Sequence, residues 1–299
     1  MKDGTAQGVA KARDYEALWS PQQRLFYDPY ARYMYPGATF QALMGKSLIR
    51  GLYNLLGPGI LEMLLIRTKW LDEEVLKYAP SMKNMILLGA GYDTRGFRLA
   101  LPRKDFQVWE VDQPKVQQSK VTKLERVAKK DATVAELKDS YVQFVAVDFN
   151  HDSLDEKLRE RDDFQPNRPS LILLEGVTQY IPKTATAETL QKLKSLVAPG
   201  SIILMSYVDQ RVFDAPEQVG PIRSIQSLLK LAAKVGEPWI SGWTEPDFKE
   251  FMDKLGFDVL ENTTCKDYNV AYMRPLGREM TPAKMTSAER FVTARLRGE

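Results

Sequence analysis

Histidine and cysteine are nearly missing from this chain, with His151 and Cys265 standing alone among 299 residues. A lone cysteine excludes an intramolecular disulfide framework and a thiolate metal cluster, and it fits a reducing compartment. A lone histidine excludes a multi-histidine zinc site and leaves His151 as the one possible base for a Ser-His-Asp triad. No metal is therefore expected. Charge of one sign is also scarce: 42 Lys and Arg stand against 39 Asp and Glu. The small excess lies in the tail from Arg274, where six basic residues face Glu279, Glu289 and Glu299. A neutral body leaves no electrostatic footprint for nucleic acid. Long hydrophobic runs are lacking too. The most apolar stretch, 51–66, is broken by Asn54, Pro58 and Glu62 and is too short to span a bilayer. Residues 1–12 hold no apolar signal core with a cleavage site. The expectation is a cytoplasmic protein, monomer or homodimer, with no nucleic-acid or membrane partner.

What is present has an order. Residues 1–80 read as helical and rich in aromatic side chains, punctuated by Pro21, Pro29, Pro36 and Pro58. From Met85 onward, short apolar runs alternate with charged helical segments, the pattern of an α/β fold with a mostly parallel sheet. Seven strands are predicted, at 85–88, 106–110, 142–147, 171–174, 202–207, 258–261 and 268–273. Helices are expected at 115–138 and 185–197. Segment 209–243 is too long for a simple connection and reads as an inserted lid, helical over 222–233. The tail at 282–297 reads as a basic amphipathic helix docked on its own domain. The layout is thus one domain over 1–299: a helical cap at 1–80, a ligand-binding sheet from 81–208 and 244–275, the lid, and a tail at 276–299.

The chemistry concentrates at strand ends. The run from Met85 to Leu88 enters Gly89-Ala90-Gly91-Tyr92-Asp93-Thr94-Arg95, a Gly-x-Gly turn ahead of a helix. Gly89 and Gly91 allow backbone angles and close approach that a Cβ would block, at the strand end where open α/β sheets bind ligands. Thr94 replaces the third glycine of the dinucleotide fingerprint, which counts against NAD or FAD. Glu110-Val111-Asp112 follows about 20 residues later, where an acid can accept from both ribose hydroxyls. Asp148-Phe149 offers a carboxylate beside a ring, suited to an adenine, and Glu175 adds a further acid. Together these match a cofactor carrying an adenosine and a positive charge better than a polyphosphate.

The blocks Gly89 to Arg95, Glu110-Val111-Asp112 and Glu175-Gly176-Val177-Thr178-Gln179-Tyr180 resemble the leucine carboxyl methyltransferase family. So do Val9-Ala10-Lys11-Ala12-Arg13 and Asp28-Pro29-Tyr30-Ala31, which are similar to its bacterial and fungal secondary-metabolism branch. The resemblance covers about residues 8–210. It implies a class I methyltransferase (Rossmann-like) fold and dependence on S-adenosylmethionine. By that resemblance Gly89, Ala90 and Gly91 would face the methionine part, while Arg67 would pair its carboxylate with Arg13 within reach. Asp112 or Glu110 would hold the ribose, Asp148 and Phe149 the adenine, and Glu175 the amino group or the sulfonium surroundings.

Methyl transfer from a sulfonium is an in-line displacement, so alignment and exclusion of water come first. A carboxylate acceptor needs no general base at pH 7, and a hydroxyl more often does. Tyr180 and Tyr207 are the positioning candidates, with Asp209 and His151 behind them. His151 reads as an exposed turn residue, Cys265 as an inert loop residue, and Gly45-Lys46-Ser47 lacks the first glycine and the strand of a phosphate loop. The expected activity is O-methylation of a carboxylate or hydroxyl on a small, polyketide-like natural product. Protein C-terminal leucine methylation and a non-catalytic cofactor-binding subunit are the alternatives.

Overall fold

The computed structural model describes residues 4–148 and 151–298. Seven strands form one sheet: β1 (Asn84–Leu88), β2 (Gln107–Asp112), β3 (Val142–Ala146), β4 (Ser170–Leu174), β5 (Ile202–Val208), β6 (Phe257–Thr264) and β7 (Glu289–Leu296). Their order is β3-β2-β1-β4-β5-β7-β6. The first five pair in parallel, and β7 runs antiparallel to both β5 and β6. Helices cover both faces, so the central strands are apolar throughout rather than alternating. In β1, Met85 and Leu87 join a core beneath the cap, while Ile86 and Leu88 join a second core on the other side.

The cap is built from α1 (Gly4–Tyr15), α2 (Ala38–Leu56) and α3 (Ile60–Tyr78). Gly45 breaks α2 with φ 73° and ψ 163°, a conformation open to glycine. After β1 comes the single turn α4 (Arg95–Arg98). The helix predicted at 115–138 is two, α5 (Pro114–Ala128) and α6 (Ala132–Ser140). Asp131 starts the second by accepting from the backbone N–H groups of Thr133 and Val134. Then follow α7 (Leu154–Arg159) and α8 (Lys183–Lys194). The insertion holds α9 (Arg211–Asp214), α10 (Pro216–Val219) and α11 (Ile222–Lys234), and α12 (Glu245–Lys254) returns the chain to the sheet.

The largest correction concerns the seventh strand. Residues 268–273 are helical, running from α13 (Cys265–Tyr268) into a wide π turn at Asn269–Met273. The strand comes instead from the predicted tail helix, as β7. Its residues are buried on both faces, so no period-2 signal marks it, and Arg290 reads like a surface residue. Arg290 is in fact paired with Asn262 and Glu245 at 2.8 Å each. Among the described residues no single helix is long and apolar enough to cross a membrane; Ala38–Leu56 and Ile60–Ser81 pass that test only together, bent by 109°.

Candidate active site

The strand order reverses between β1 and β4, which lie side by side although β2 and β3 separate them in sequence. Such a switch point opens a crevice at the carboxyl ends of the strands. A cavity of about 1210 Å³ occupies it, floored by the turns after β1, β2 and β4 and walled by α1, α2, α8 and α11.

The glycine turn is shaped by contacts on both sides. Gly89 (φ 61°) and Gly91 (φ 46°) both lie in the left-handed region. A Cβ on Gly89 would stand 2.6 Å from Val177 Cγ2 after β4, so the glycine is required sterically as well as conformationally. Asp112 ends β2 and faces the same cavity. Its carboxylate accepts from the backbone N–H groups of Gly91 at 2.5 Å and Gln113 at 2.6 Å, which ties the second strand end to the turn of the first. Glu110 shares that face of β2 but sits one side-chain repeat deeper, outside the cavity. It is 1% exposed and paired with Lys120 at 2.5 Å. Burial pushes its carboxyl up to about 7 despite that lysine. Of the two candidates for the ribose, Asp112 therefore remains and Glu110 is corrected to an internal ion pair.

Glu175, just past β4, is held by two guanidinium groups: Arg67 Nε at 2.8 Å and Arg95 Nη1 at 2.6 Å. Burial opposes its ionisation, but Arg95 and Arg67 outweigh burial and keep its carboxyl below the usual range. Arg67, on α3, also pairs with Glu289 of β7, and its Nη2 donates to no other described residue. Arg13, on α1, donates from Nε to Asp28 at 2.8 Å and from Nη2 to the Tyr92 carbonyl, leaving Nη1 without a bond among the described residues. Both arginines line the cavity. Each therefore keeps one guanidinium nitrogen without a bond among the described residues.

Other expectations fare differently. Asp148 lies off the cavity lining, and its backbone N–H donates to Asp152, which does line it. Phe149 falls outside the described residues. Tyr180 lines the cavity at the foot of the insertion, where Trp239 also lies. Tyr207 does not: it is fully buried on the opposite sheet face, stacked on Phe248 at 3.9 Å. Its position in β5 points it into the second core, so it cannot position a substrate here. His151 is an exposed turn residue outside the cavity lining, and Cys265 is buried at the start of α13, its Sγ 2.7 Å from the Thr286 carbonyl. No group of three or more potential metal ligands occurs among the described residues.

Several site residues had no role at the sequence level. Arg95 bonds Asp72 at 2.8 Å, Asp93 and Glu175, joining cap, glycine turn and β4 in one buried network. Thr94 and Arg13 meet on Asp28 in the same way. The Asp93-Thr94-Arg95 block therefore fastens the cap onto the turn; its presence in the motif was the available signal. Gln179, 2% exposed, lines the cavity with an Oε1 that has no partner among the described residues.

The cavity suits S-adenosylmethionine on its own observations. Its glycine cradle would be filled by a Cβ, and its lining carries seven acidic against four basic side chains, an excess that favours a sulfonium. Comparisons with known proteins agree. The profile of the family described as leucine carboxyl methyltransferase matches residues 6–194. YktD of Bacillus subtilis (strain 168), named as an S-adenosyl-L-methionine-dependent methyltransferase, is 32% identical over 188 residues, 62% of this chain and 58% of that protein. Rv3767c of Mycobacterium tuberculosis (strain H37Rv), named likewise, is 29% identical across 96% of this chain and 94% of its own length. Among solved structures, a DUF574 family protein from Streptomyces avermitilis superposes with a TM-score of 0.59 at 14% identity, covering 95% of this chain and 96% of that one. A Thermobifida fusca YX protein described as a methyltransferase gives 0.58 at 16% identity, covering 96% and 94%. These two carry the fold alone. Sequence, fold and site converge: this chain belongs to the leucine carboxyl methyltransferase family and is an S-adenosylmethionine-dependent methyltransferase with a class I fold.

Proposed function

We propose that the enzyme methylates oxygen, on a carboxylate or hydroxyl of a small natural product, inside the cytoplasm. The observation that carries this reading is the shape of the cavity, which runs past the glycine turn to walls supplied by the cap and the insertion. When bound, S-adenosylmethionine supplies an electrophilic methyl group on a sulfonium. Asp112 would hold the ribose while keeping the turn in register through the Gly91 N–H. Arg67 Nη2 and Arg13 Nη1 would meet the carboxylate of the amino-acid part, and Glu175, ionised by its two arginines, would sit near the positive end. Tyr180 and Gln179 would orient the acceptor oxygen. The insertion is pinned over them, with Ile240 N–H donating to the Gln179 carbonyl at 2.8 Å and Ser241 Oγ to the Ile181 carbonyl at 2.5 Å. That closure supports exclusion of water from the reacting atoms.

No histidine lines the cavity, which favours an acceptor already ionised or easily ionised. Incubation with methyl-labelled cofactor and a panel of small carboxylic acids and phenols should transfer label to at least one. Transfer instead to a peptide ending in leucine, with none to the small molecules, would favour the protein carboxyl methylation after which the family is named.

A further inference from the structure

The cavity has two chemically distinct ends. Four of its seven acidic side chains, Asp93, Asp112, Glu175 and Glu289, lie at or just past strand ends and Glu237 lies just past α11, whereas α2 and α11 themselves contain no Asp or Glu. Of the nineteen residues in α2 only Gln41 and Ile49 are buried. Phe40, Leu52, Leu55 and Leu56 on α2 and Leu231 on α11 line the cavity yet remain 67%, 45%, 63%, 43% and 42% exposed. A helix this apolar, left this open, is paid for by something that covers it. The pair is a fixed frame rather than a loose edge. Ser224 Oγ donates to the Pro58 carbonyl at 2.8 Å, Ser227 Oγ to the Leu56 carbonyl at 2.5 Å, and Arg223 to the Leu55 carbonyl. At the inner end waits the unpartnered Gln179 amide oxygen, beside Tyr180.

We infer that the methyl acceptor is an amphiphile: an oxygen-bearing head at Gln179 and Tyr180, with an apolar tail lying between α2 and α11 and reaching their exposed leucines. The inference rests on the methyltransferase reading above and names its substrate class. A compact polar metabolite would leave the α2–α11 arm uncovered. A long-chain acid or alcohol, or a reduced polyketide chain, would cover it.

Calorimetric titration of the full chain, saturated with S-adenosylhomocysteine, with n-alkanoic acids and n-alkanols of eight, ten and twelve carbons below their micelle concentrations tests this. Affinity should rise about fourfold per methylene. The double variant Leu55→Asn/Leu231→Asn changes exposed residues and should fold; it should weaken dodecyl binding more than tenfold and leave S-adenosylhomocysteine binding unchanged. Affinity independent of chain length, or unaltered dodecyl binding by the variant, overturns the inference. So does binding to phosphatidylglycerol vesicles without binding of the single-chain probes, which would reassign the leucines to a membrane surface. Failure to bind S-adenosylhomocysteine at all would instead strike the methyltransferase reading.

Discussion

At the scale of single residues, the site is a set of carboxylates with unequal tasks. Asp112 touches two backbone N–H groups as well as the cavity. Asp112→Ala should therefore weaken S-adenosylhomocysteine binding by more than about 1 kcal/mol, the scale of a charge-assisted hydrogen bond. Asp112→Asn, which keeps one acceptor oxygen, should recover part of the loss in the same titration. Glu110 predicts a pH effect unconnected with ligand. Because burial raises its carboxyl to about 7, its stabilising contribution is complete below its ordinary value near 4.5 and is lost as pH rises through about 7. Melting curves between pH 5 and 8 should fall by on the order of 3 kcal/mol from this group, and Glu110→Gln should remove that slope even though it leaves Lys120 unpaired. An unchanged slope in the variant would mean that another group titrates there. Arg95 is a matter of stability. It is 1% exposed and holds three carboxylates, so Arg95→Ala should destabilise the chain by about 3–5 kcal/mol in chemical denaturation, as expected when a buried charge cluster loses its centre.

At the scale of elements, the turn after β1 and the last strand matter most. Gly89→Ala meets both a left-handed φ and Val177, and should cost about 1–3 kcal/mol together with most cofactor affinity. Adding Val177→Ala relieves the contact but not the backbone strain, so the double variant should recover only part of the stability. The strands β1 to β5 were legible because each is a short apolar run ended by Gly, Asp or Glu, and a parallel sheet covered on both faces demands such runs. β7 was not legible. It lies between β5 and β6 and pairs with both, so its neighbours, rather than its own pattern, make it a strand. The glycine turn, Asp112, Glu175 and Tyr180 were likewise readable as cavity residues at motif ends, whereas Arg67, in the middle of α3, was marked only by the family resemblance. Glu110 was misplaced because it lies one side-chain repeat short of the strand end, and Tyr207 because the face a side chain meets is invisible in a short apolar run.

At the scale of the whole molecule, the cap, sheet and insertion are joined through the site itself. α1 supplies Arg13, α3 supplies Arg67, the sheet supplies Asp112 and Glu175, and β7 supplies Glu289. A ligand filling that junction should stabilise all of them together. At one hundred times its dissociation constant, S-adenosylhomocysteine should contribute about 2.7 kcal/mol and raise Tm by roughly 5 °C, whereas NAD should leave it unchanged.

The sequence by itself determined the α/β class, the cofactor turn and the exclusion of histidine- and thiolate-based metal chemistry, because these follow from local runs, local glycines and counts. Only the tertiary structure decided which carboxylates face the cavity, that the tail closes the sheet, and that Asp93, Thr94 and Arg95 clamp the cap. Those facts depend on pairings between residues 21 to 222 positions apart, and such contacts are fixed by strand register and by helix packing rather than by any stretch of neighbouring residues.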